Sequence, residues 1–568
     1  MSTATVIRDL STVQPATALS SGREPGHWRV SSYACEGVEG KLLYTDSDSE
    51  VPAVALPLGL RGWHRVTIGL WGELESRRYG ADGNRFKLAG DPCFRPLVRQ
   101  TPAIGTLVFE TIEEVVLTCA DLTGKDLIIA PPPPGSNAVT AVVYVRCEPL
   151  APEEVRKIET DRNRKDCRRI IAYNDGLSFF GRREQWDKED FWEMIEPYRD
   201  SDVESLYWGL VGDVTVFPVE HGTMATGPGA EKWESLMARG IHPVVTAMEY
   251  AHQLGLQFYI YQRMGAWADP FPMDIWVSDF TKAHPEFRCV SKEGVPIGRL
   301  SYAYAEVRRR QVDLLSEVVG YGADGVDLNF MRGPVYVFYE EPLLSGFKKE
   351  FGDDPRRLDE WDERWLQYRQ WPLTAFLREL RRELDSLGKK LGKRLAISAV
   401  TFPTPLGNLY YGLDVETWVQ EGLIDRLVPW GLVRGMPAAD LDYYSELIRG
   451  TSTTFWPFLP IHEDPSGPGY NSYRQDALEY YAAGAQGLAM WDLLAFHSMS
   501  VKGALLRRMG HLDELRDAVR EQEKDEEPVT KKFEQIGAID FTVRSAPATH
   551  RERLMPGEYP KHMFMWPS

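Results

Sequence analysis

GVDLNFMR, residues 325–332, decides how the rest of the chain is read. Side chains alternate between the two faces of a strand, so Val326, Leu328 and Phe330 share one face and Asp327 and Asn329 the other. The apolar set suits a face covered by helices. Asp327 and Asn329 are therefore expected to point inward near the end of the strand, with Arg332 just above them. Upstream lies VRRRQVDLLSEVV (307–319) and downstream PLTAFLRELRRELDSLG (372–388), both spaced as amphipathic helices. The same order of apolar strand, polar loop and helix recurs around RRIIAYND (168–175), SLYWGLVG (205–212), LQFYIYQR (256–263), RLAISAV (394–400), IDRLVPW (424–430), TFWPFLP (454–460) and GLAMWD (487–492). Eight such units over about 325 residues predict a (β/α)8 TIM barrel across 168–500. A doubly wound sheet is the alternative, but the nearly even spacing favours closure.

Outside that span the pattern changes. Residues 1–26 are rich in Ser, Thr and Ala and read as a flexible arm. Over 27–150, short alternating runs such as RVTIGLWGEL (65–74), IEEVVLTCADL (112–122), KDLIIA (125–130) and AVVYVRCE (141–148) are cut by turn signals, which predicts an all-β sandwich preceding the barrel. Residues 151–167 read as a linker or short helix, and 501–568 as a helix followed by a tail. The tail's Met and aromatic residues are expected to dock back on the body, because an exposed apolar terminus is a liability.

In a barrel, chemistry gathers where strands end, at the C-terminal face. A carboxylate inside such a mouth is costly unless it is hydrogen-bonded or used, which singles out Asp327 against the plainer reading of a structural Asp satisfied by Arg332. The seventh segment ends in His462, Glu463 and Asp464, and the eighth in Trp491 and Asp492. The first ends in Tyr173, Asn174 and Asp175; the third brings Tyr261, Arg263 and Trp267. Carboxylates, an arginine and rings at one mouth suit glycoside cleavage, which needs one carboxylic acid to protonate the leaving oxygen and a second carboxylate to attack carbon or activate water. The fifth and sixth segments end without an acid, which narrows the pair to Asp327, as nucleophile or base kept ionised by Asn329 and Arg332, and Glu463, as proton donor. Asp492, Asp464 and Asp175 stand in reserve, and the opposite assignment of roles stays open. Trp267, Trp430 and Trp491 are expected to form a sugar platform; the competing reading for each is ordinary core packing.

Composition removes other classes. The 568 residues are 43% hydrophobic and 26% charged, an ordinary globular balance, and the formal net charge of −18 argues against nucleic-acid or anionic-membrane partners. No apolar run reaches the length of a membrane span, and the N-terminus lacks the pattern of a signal peptide. Six scattered cysteines without ligand spacing point to free thiols in a cytoplasmic setting. No cofactor is expected. GYGADG (320–325) matches a dinucleotide fingerprint, but its glycines follow a helix and precede a strand, the reverse of what a phosphate site needs. No metal is expected either, since the 11 histidines never cluster in sequence and DSDSE (46–50) lacks the glycine of a calcium loop. Homo-oligomerisation is left open.

GADGVDLNFMRGP, WVQEGLIDRLVPWGLVRG and GAQGLAMWD together resemble the family-10-like glycoside hydrolase barrels, a broad bacterial group with many expected glycosidases. The resemblance spans roughly 168–500 and implies a carbohydrate substrate and an accessory N-terminal module. It places Asp327 and Arg332 in the group's strand-four stretch, Gly422, Leu423, Ile424, Asp425 and Pro429 in its strand-six stretch, and Asp492 at its strand-eight aspartate. Trp430 departs from the group, which often has a polar or tyrosine position there. The other reading of the same residues is a barrel that binds carbohydrate without cleaving it, with Asp327 bonding sugar hydroxyls.

Overall fold

The computed structural model describes residues 3–71, 83–97, 99, 111–265, 276–431, 438–459, 470–491, 507–521 and 529–537, with positions 21, 23, 48, 137 and 228 excepted. Each of the eight apolar segments contributes one strand to a curled, all-parallel sheet: Ile170–Asn174, Val203–Leu210, Gln257–Arg263, Gly325–Asn329, Ala396–Thr401, Arg426–Pro429, Thr454–Phe455 and Leu488–Met490, here strands one to eight. Strands one to seven pair in sequence order, and strand eight pairs with strand one. A bridge from Phe458 to Ala489 joins the continuation of strand seven to strand eight, so main-chain bonds run all the way round. Helices between successive strands bury one stripe against this ring. Trp371–Leu391 shows why: Pro372 opens it, Leu373, Phe376, Leu377, Leu380 and Leu384 are buried at helical spacing, and Gly392 ends it with φ +69°. The dinucleotide-like glycines belong to such a helix end, with the Gly320 N–H closing Ala305–Val319 onto the Ser316 carbonyl.

Close packing inside the ring needs glycine at one strand position in particular. A Cβ on Gly325 would sit 2.3 Å from the Ala396 carbonyl oxygen and 2.8 Å from the Tyr259 ring. The first residue of strand four is thus small so that a tyrosine can fill the interior beside it.

Ahead of the ring stand two sheets, antiparallel except where Leu19–Ser20 pairs parallel with Trp28–Cys35. The larger runs Leu19–Ser20, Trp28–Cys35, Val38–Asp46, Val139–Pro149, Trp63–Trp71 and Thr111–Asp121 in spatial order; the smaller runs Val54–Leu56, Leu127–Ala130, Asn84–Leu88 and Arg95–Leu97. Leu43, Val66, Ile68 and Val145 of the first share a core with Val54, Phe86, Leu127 and Ile129 of the second. The larger sheet buries its other face too. Tyr33, Tyr44, Trp71, Ile112 and Tyr144 form a separate cluster there, with Phe533 edge-on to Tyr33 and Trp71 at ring centroids 6.1 and 5.8 Å apart. Phe533 arrives on a C-terminal segment in which Thr530–Lys532 pairs with Thr111–Asp121 and Gln535–Ile536 pairs with Trp28–Cys35. Residues 530–536 therefore add strands to the body, while the Met- and aromatic-rich tail expected to dock lies outside the described residues.

Residues 1–26 are not a loose arm over the part described. Thr5–Ile7 pairs with Val139–Pro149, and Leu10, Val13 and Ala18 are buried in the core between the sheets. Three well-placed apolar side chains outweigh the polar residues around them. The 151–167 stretch contains a helix, Pro152–Arg162, opened by proline and by the Ala151 N–H donating to Glu154 Oε2 at 2.7 Å.

The sheets and the ring are clamped by charge. Arg85 donates two hydrogen bonds to Glu193, both 2.7 Å, and Arg95 Nε donates to Glu196 at 2.9 Å. Glu193 is buried, and Arg183 also reaches it, at 3.2 Å. Replacing Arg85 by Ala should cost about 2 kcal/mol, because Glu193 loses its bidentate partner but keeps Arg183. Denaturant unfolding of the variant beside wild type checks this; a change under ~0.5 kcal/mol would mean the pair contributes little.

Candidate active site

Strand register assembles the interior. Tyr173 of strand one stands opposite Tyr207 of strand two; Tyr261 of strand three stands opposite Asp327, Asp327 opposite Ser398, and Ser398 opposite Arg426. Phe330, beyond strand four, packs outward on Trp418, with centroids 5.4 Å apart.

Asp327 is fully buried, and neither of its oxygens has a hydrogen-bond partner among the described residues. The Tyr173 and Ser398 hydroxyls are likewise without partners. Burial pushes the Asp327 carboxyl up to about 7; the nearby Ser398 and Tyr173 hydroxyls and the Arg426 guanidinium pull it back down, though neither hydroxyl reaches hydrogen-bond geometry. This corrects the expectation that Arg332 and Asn329 keep Asp327 ionised. Asn329 spends its Oδ1 on the Met331 N–H at 3.0 Å, and Arg332 lies past the strand end, 5.8 Å from the centre of the Trp491 ring. The cation that acts on Asp327 is Arg426, from the opposite end of the ring.

Arg426 forms the floor. Its Nη1 donates to Ser205 Oγ at 3.0 Å and to the Tyr207 hydroxyl at 3.4 Å; its Nη2 meets Gln257 Oε1 and Glu204 Oε2, each at 3.0 Å. Its guanidinium lies over the rings of Tyr259 and Trp456, 5.0 and 4.8 Å from their centres.

Above Asp327, groups collect around Tyr261. Arg263 Nε donates to the Tyr261 hydroxyl at 2.9 Å and an Arg263 Nη lies 3.6 Å from Asp175 Oδ2. Asp175 Oδ1 accepts the N–H groups of Leu177 and Ser178 at 3.1 and 2.9 Å, so this carboxylate is already engaged in shaping its own loop. Trp491 meets Tyr173, Tyr261 and Trp430 with centroids 5.2, 5.3 and 4.6 Å apart. Trp491 is only partly buried. Trp430, expected to offer a face to sugar, is instead packed between Trp491 and Phe458, the latter at 4.5 Å, and is 4% exposed. Its strand-end position fits both roles, and its burial between two tilted rings favours packing.

The structure thus brings together Asp327, Asp175, Tyr261, Arg263, Arg332, Trp430 and Trp491, with Asn329 shaping the turn above strand four. Trp267, His462, Glu463, Asp464 and Asp492 lie outside the described residues. Ser398, Arg426, Tyr207 and Tyr259 were not singled out from sequence, although alternation in AISAV and DRLVP puts Ser398 and Arg426 on the inner face. A buried carboxyl packed among aromatic rings, raised to about 7 with hydroxyls beside it, can hold and release a proton near pH 7.

No family model matches the sequence, and no curated protein matches it. Among solved structures, the chain is similar to the glycoside hydrolase domain of PgaB (BpsB) from Bordetella bronchiseptica, with 13% identity and a TM-score of 0.40 over 60% of this chain and 99% of that one. It is also similar to a glycoside hydrolase family 18 N-acetylglucosaminidase from Paenibacillus barengoltzii (11% identity, TM-score 0.34, 60% and 99% covered) and to the catalytic domain of the psychrophilic chitinase B from Arthrobacter TAD20 (12%, 0.37, 63% and 97%). None of the three is described as a family-10 enzyme, and likenesses at these scores assign neither activity nor substrate.

Proposed function

We propose that the ring is a (β/α)8 barrel carrying a β-sandwich accessory module, and that the chain is a glycosidase acting on an uncharged or mildly modified oligosaccharide at the barrel mouth. The observation that carries this reading is Asp327, a fully buried carboxyl whose nearest polar neighbours are the Tyr173 and Ser398 hydroxyls, pushed up to about 7 by burial beneath partly exposed Trp491 and the Arg263–Tyr261 pair. Burying an ionisable group this way is costly and serves no evident packing purpose. Burial favours the protonated form, so Asp327 is assigned the proton donor's part and the attacking or water-activating carboxylate falls to Glu463, with Asp492 in reserve; this reverses the roles first expected. The six unpaired cysteines support a cytoplasmic setting.

Turnover of a panel of natural and aryl glycosides tests the proposal. Asp327→Asn should lower kcat by about 10²-fold or more on substrates whose leaving group needs a proton, and much less on an activated aryl glycoside. In wild type, kcat should fall as pH rises through about 7, the direction for an essential acid with the Asp327 value. One observation favours the second reading, carbohydrate binding without cleavage: Asp175, the other expected mouth carboxylate that the structure describes, is tied to Arg263 and its own loop. Saturable glycan binding with no hydrolysis of any panel member would select it.

A further inference from the structure

The sequence shows no ligand spacing, yet folding gathers a histidine, a cysteine and an aspartate far from the mouth. Cys167 lies just ahead of strand one, Asp202 just ahead of strand two, and His511 caps the N-terminus of the helix Leu512–Arg520. Ligand atoms of the three lie within 4.8 Å of one another, and the residues are 3%, 1% and 2% exposed. They occupy the end of the ring at which strands begin, opposite the proposed active site.

We propose that these three side chains bind a structural transition-metal ion, with Zn²⁺ the best fit, which fastens the C-terminal helix to the underside of the ring. The donor set is a soft thiolate, an imidazole and a carboxylate, a mixture that suits zinc and excludes the all-oxygen shells of Ca²⁺ and Mg²⁺. Tetrahedral Zn²⁺ sets such donors about 3.3–3.8 Å apart; here they lie within 4.8 Å of one another, and His511 Nδ1 and Asp202 Oδ2 must part slightly from their 3.0 Å contact to admit the ion. The surroundings carry the supporting device of a histidine metal site. His511 turns Nδ1 toward Asp202 Oδ2, 3.0 Å away, and Nε2 toward Asp161 Oδ1, also 3.0 Å away, with Arg508 Nη1 at 3.0 Å from the same nitrogen; as a metal ligand through Nδ1 it would donate Nε2–H to Asp161 and leave Arg508 to Asp161. A ligating histidine commonly donates its second ring N–H to a carboxylate, which fixes the tautomer and ring orientation. Asp161 is held in turn by Arg508 Nη1 at 2.8 Å, and Asp202 by the Gly510 N–H at 2.7 Å.

Gly510 adds a steric sign that the approach is built in. A Cβ there would lie 1.8 Å from the Cys167 carbonyl oxygen and 3.1 Å from Asp202 Oδ2, so only glycine lets the C-terminal segment come this close. Three protein donors leave one tetrahedral position, for a water or the second Asp202 oxygen.

The test uses the full chain, stripped with a chelator and titrated with Co²⁺. The expected result is a near-ultraviolet thiolate-to-cobalt band that saturates at about one equivalent, is displaced by Zn²⁺, and is missing from Cys167→Ser, which preserves volume and polarity. Zn²⁺ should also raise the melting temperature of stripped wild type by several degrees and leave that of Cys167→Ser unchanged, since only a native-state ligand stabilises in this way. No thiolate band in wild type, or an equal band or equal melting shift in both proteins, would overturn the site and leave the cluster a hydrogen-bonded clasp.

Discussion

Asp327→Asn is expected to stabilise the protein at pH 8 while leaving its stability near pH 4 almost unchanged. The folded carboxyl is pushed up to about 7 by burial, from an ordinary value of 3.8, so the folded state holds this proton more tightly than the unfolded chain. The contribution of such a group is fully present below about pH 4 and is lost as pH rises from there through about 7. Over that window the wild type gives up about 4 kcal/mol relative to a variant whose side chain never ionises. Asparagine has nearly the same shape and no charge, so at pH 8 it removes the burial cost of the carboxylate. Denaturant unfolding of both proteins at pH 4.5, 6 and 8 measures the difference directly. A gain independent of pH would place the effect in packing, and a loss at pH 8 would mean that the ionised carboxylate is better satisfied than its surroundings imply. The same substitution is expected to lower turnover, so one residue would trade stability against activity.

Sequence reached the ring better than it reached the two sheets, for physical reasons. Strands buried on both faces and alternating with amphipathic helices leave long, regular apolar signals, and all eight segments hold a strand of the ring. Strand seven shows the limit: TFWPFLP was read as one strand, but Pro457 cannot donate to the ladder, so the strand is Thr454–Phe455 and Phe458 makes only an isolated bridge. In the larger antiparallel sheet, Trp28–Cys35 and Val38–Asp46 were not picked out individually. Their outer face is apolar because residues 530–536 come back to cover it, and no local pattern announces a partner that distant in sequence. The inward position of Asp327 was legible from alternation alone. Its environment is not, because full burial and the Ser398 and Arg426 neighbours on strands five and six, which end without an acid, act on it beside Tyr173 of strand one. Acidity at a strand end is a signal for catalytic carboxylates; the groups that tune them can sit mid-strand and be cationic, as Arg426 is.

Arg426→Met is expected to cost about 3–5 kcal/mol and to move the pH dependence of activity upward. The stability loss follows from what the guanidinium does at the floor of the ring. It pairs with Glu204 at 3.0 Å, satisfies Ser205 and Gln257, and fills the space between the faces of Tyr259 and Trp456. Removing one partner of a largely buried pair leaves the other charge, about a quarter exposed at Glu204, with poorer compensation, and burial already pushes the Glu204 carboxyl up. Met keeps much of the volume, so the expected cost is mainly electrostatic. Adding Glu204→Gln should therefore recover a large part of it, and the double-mutant cycle isolates the pair from the packing. The kinetic effect is separable from the structural one. Arg426 is a cation that lowers the Asp327 value; without it the carboxyl keeps its proton to higher pH, and the fall in kcat should occur at a higher pH than in wild type. Glu204→Gln should restore stability without moving that profile back, because the charge acting on Asp327 is still missing. A profile that stays in place while stability falls would make Arg426 a plug and nothing more, and would detach the titration of Asp327 from turnover.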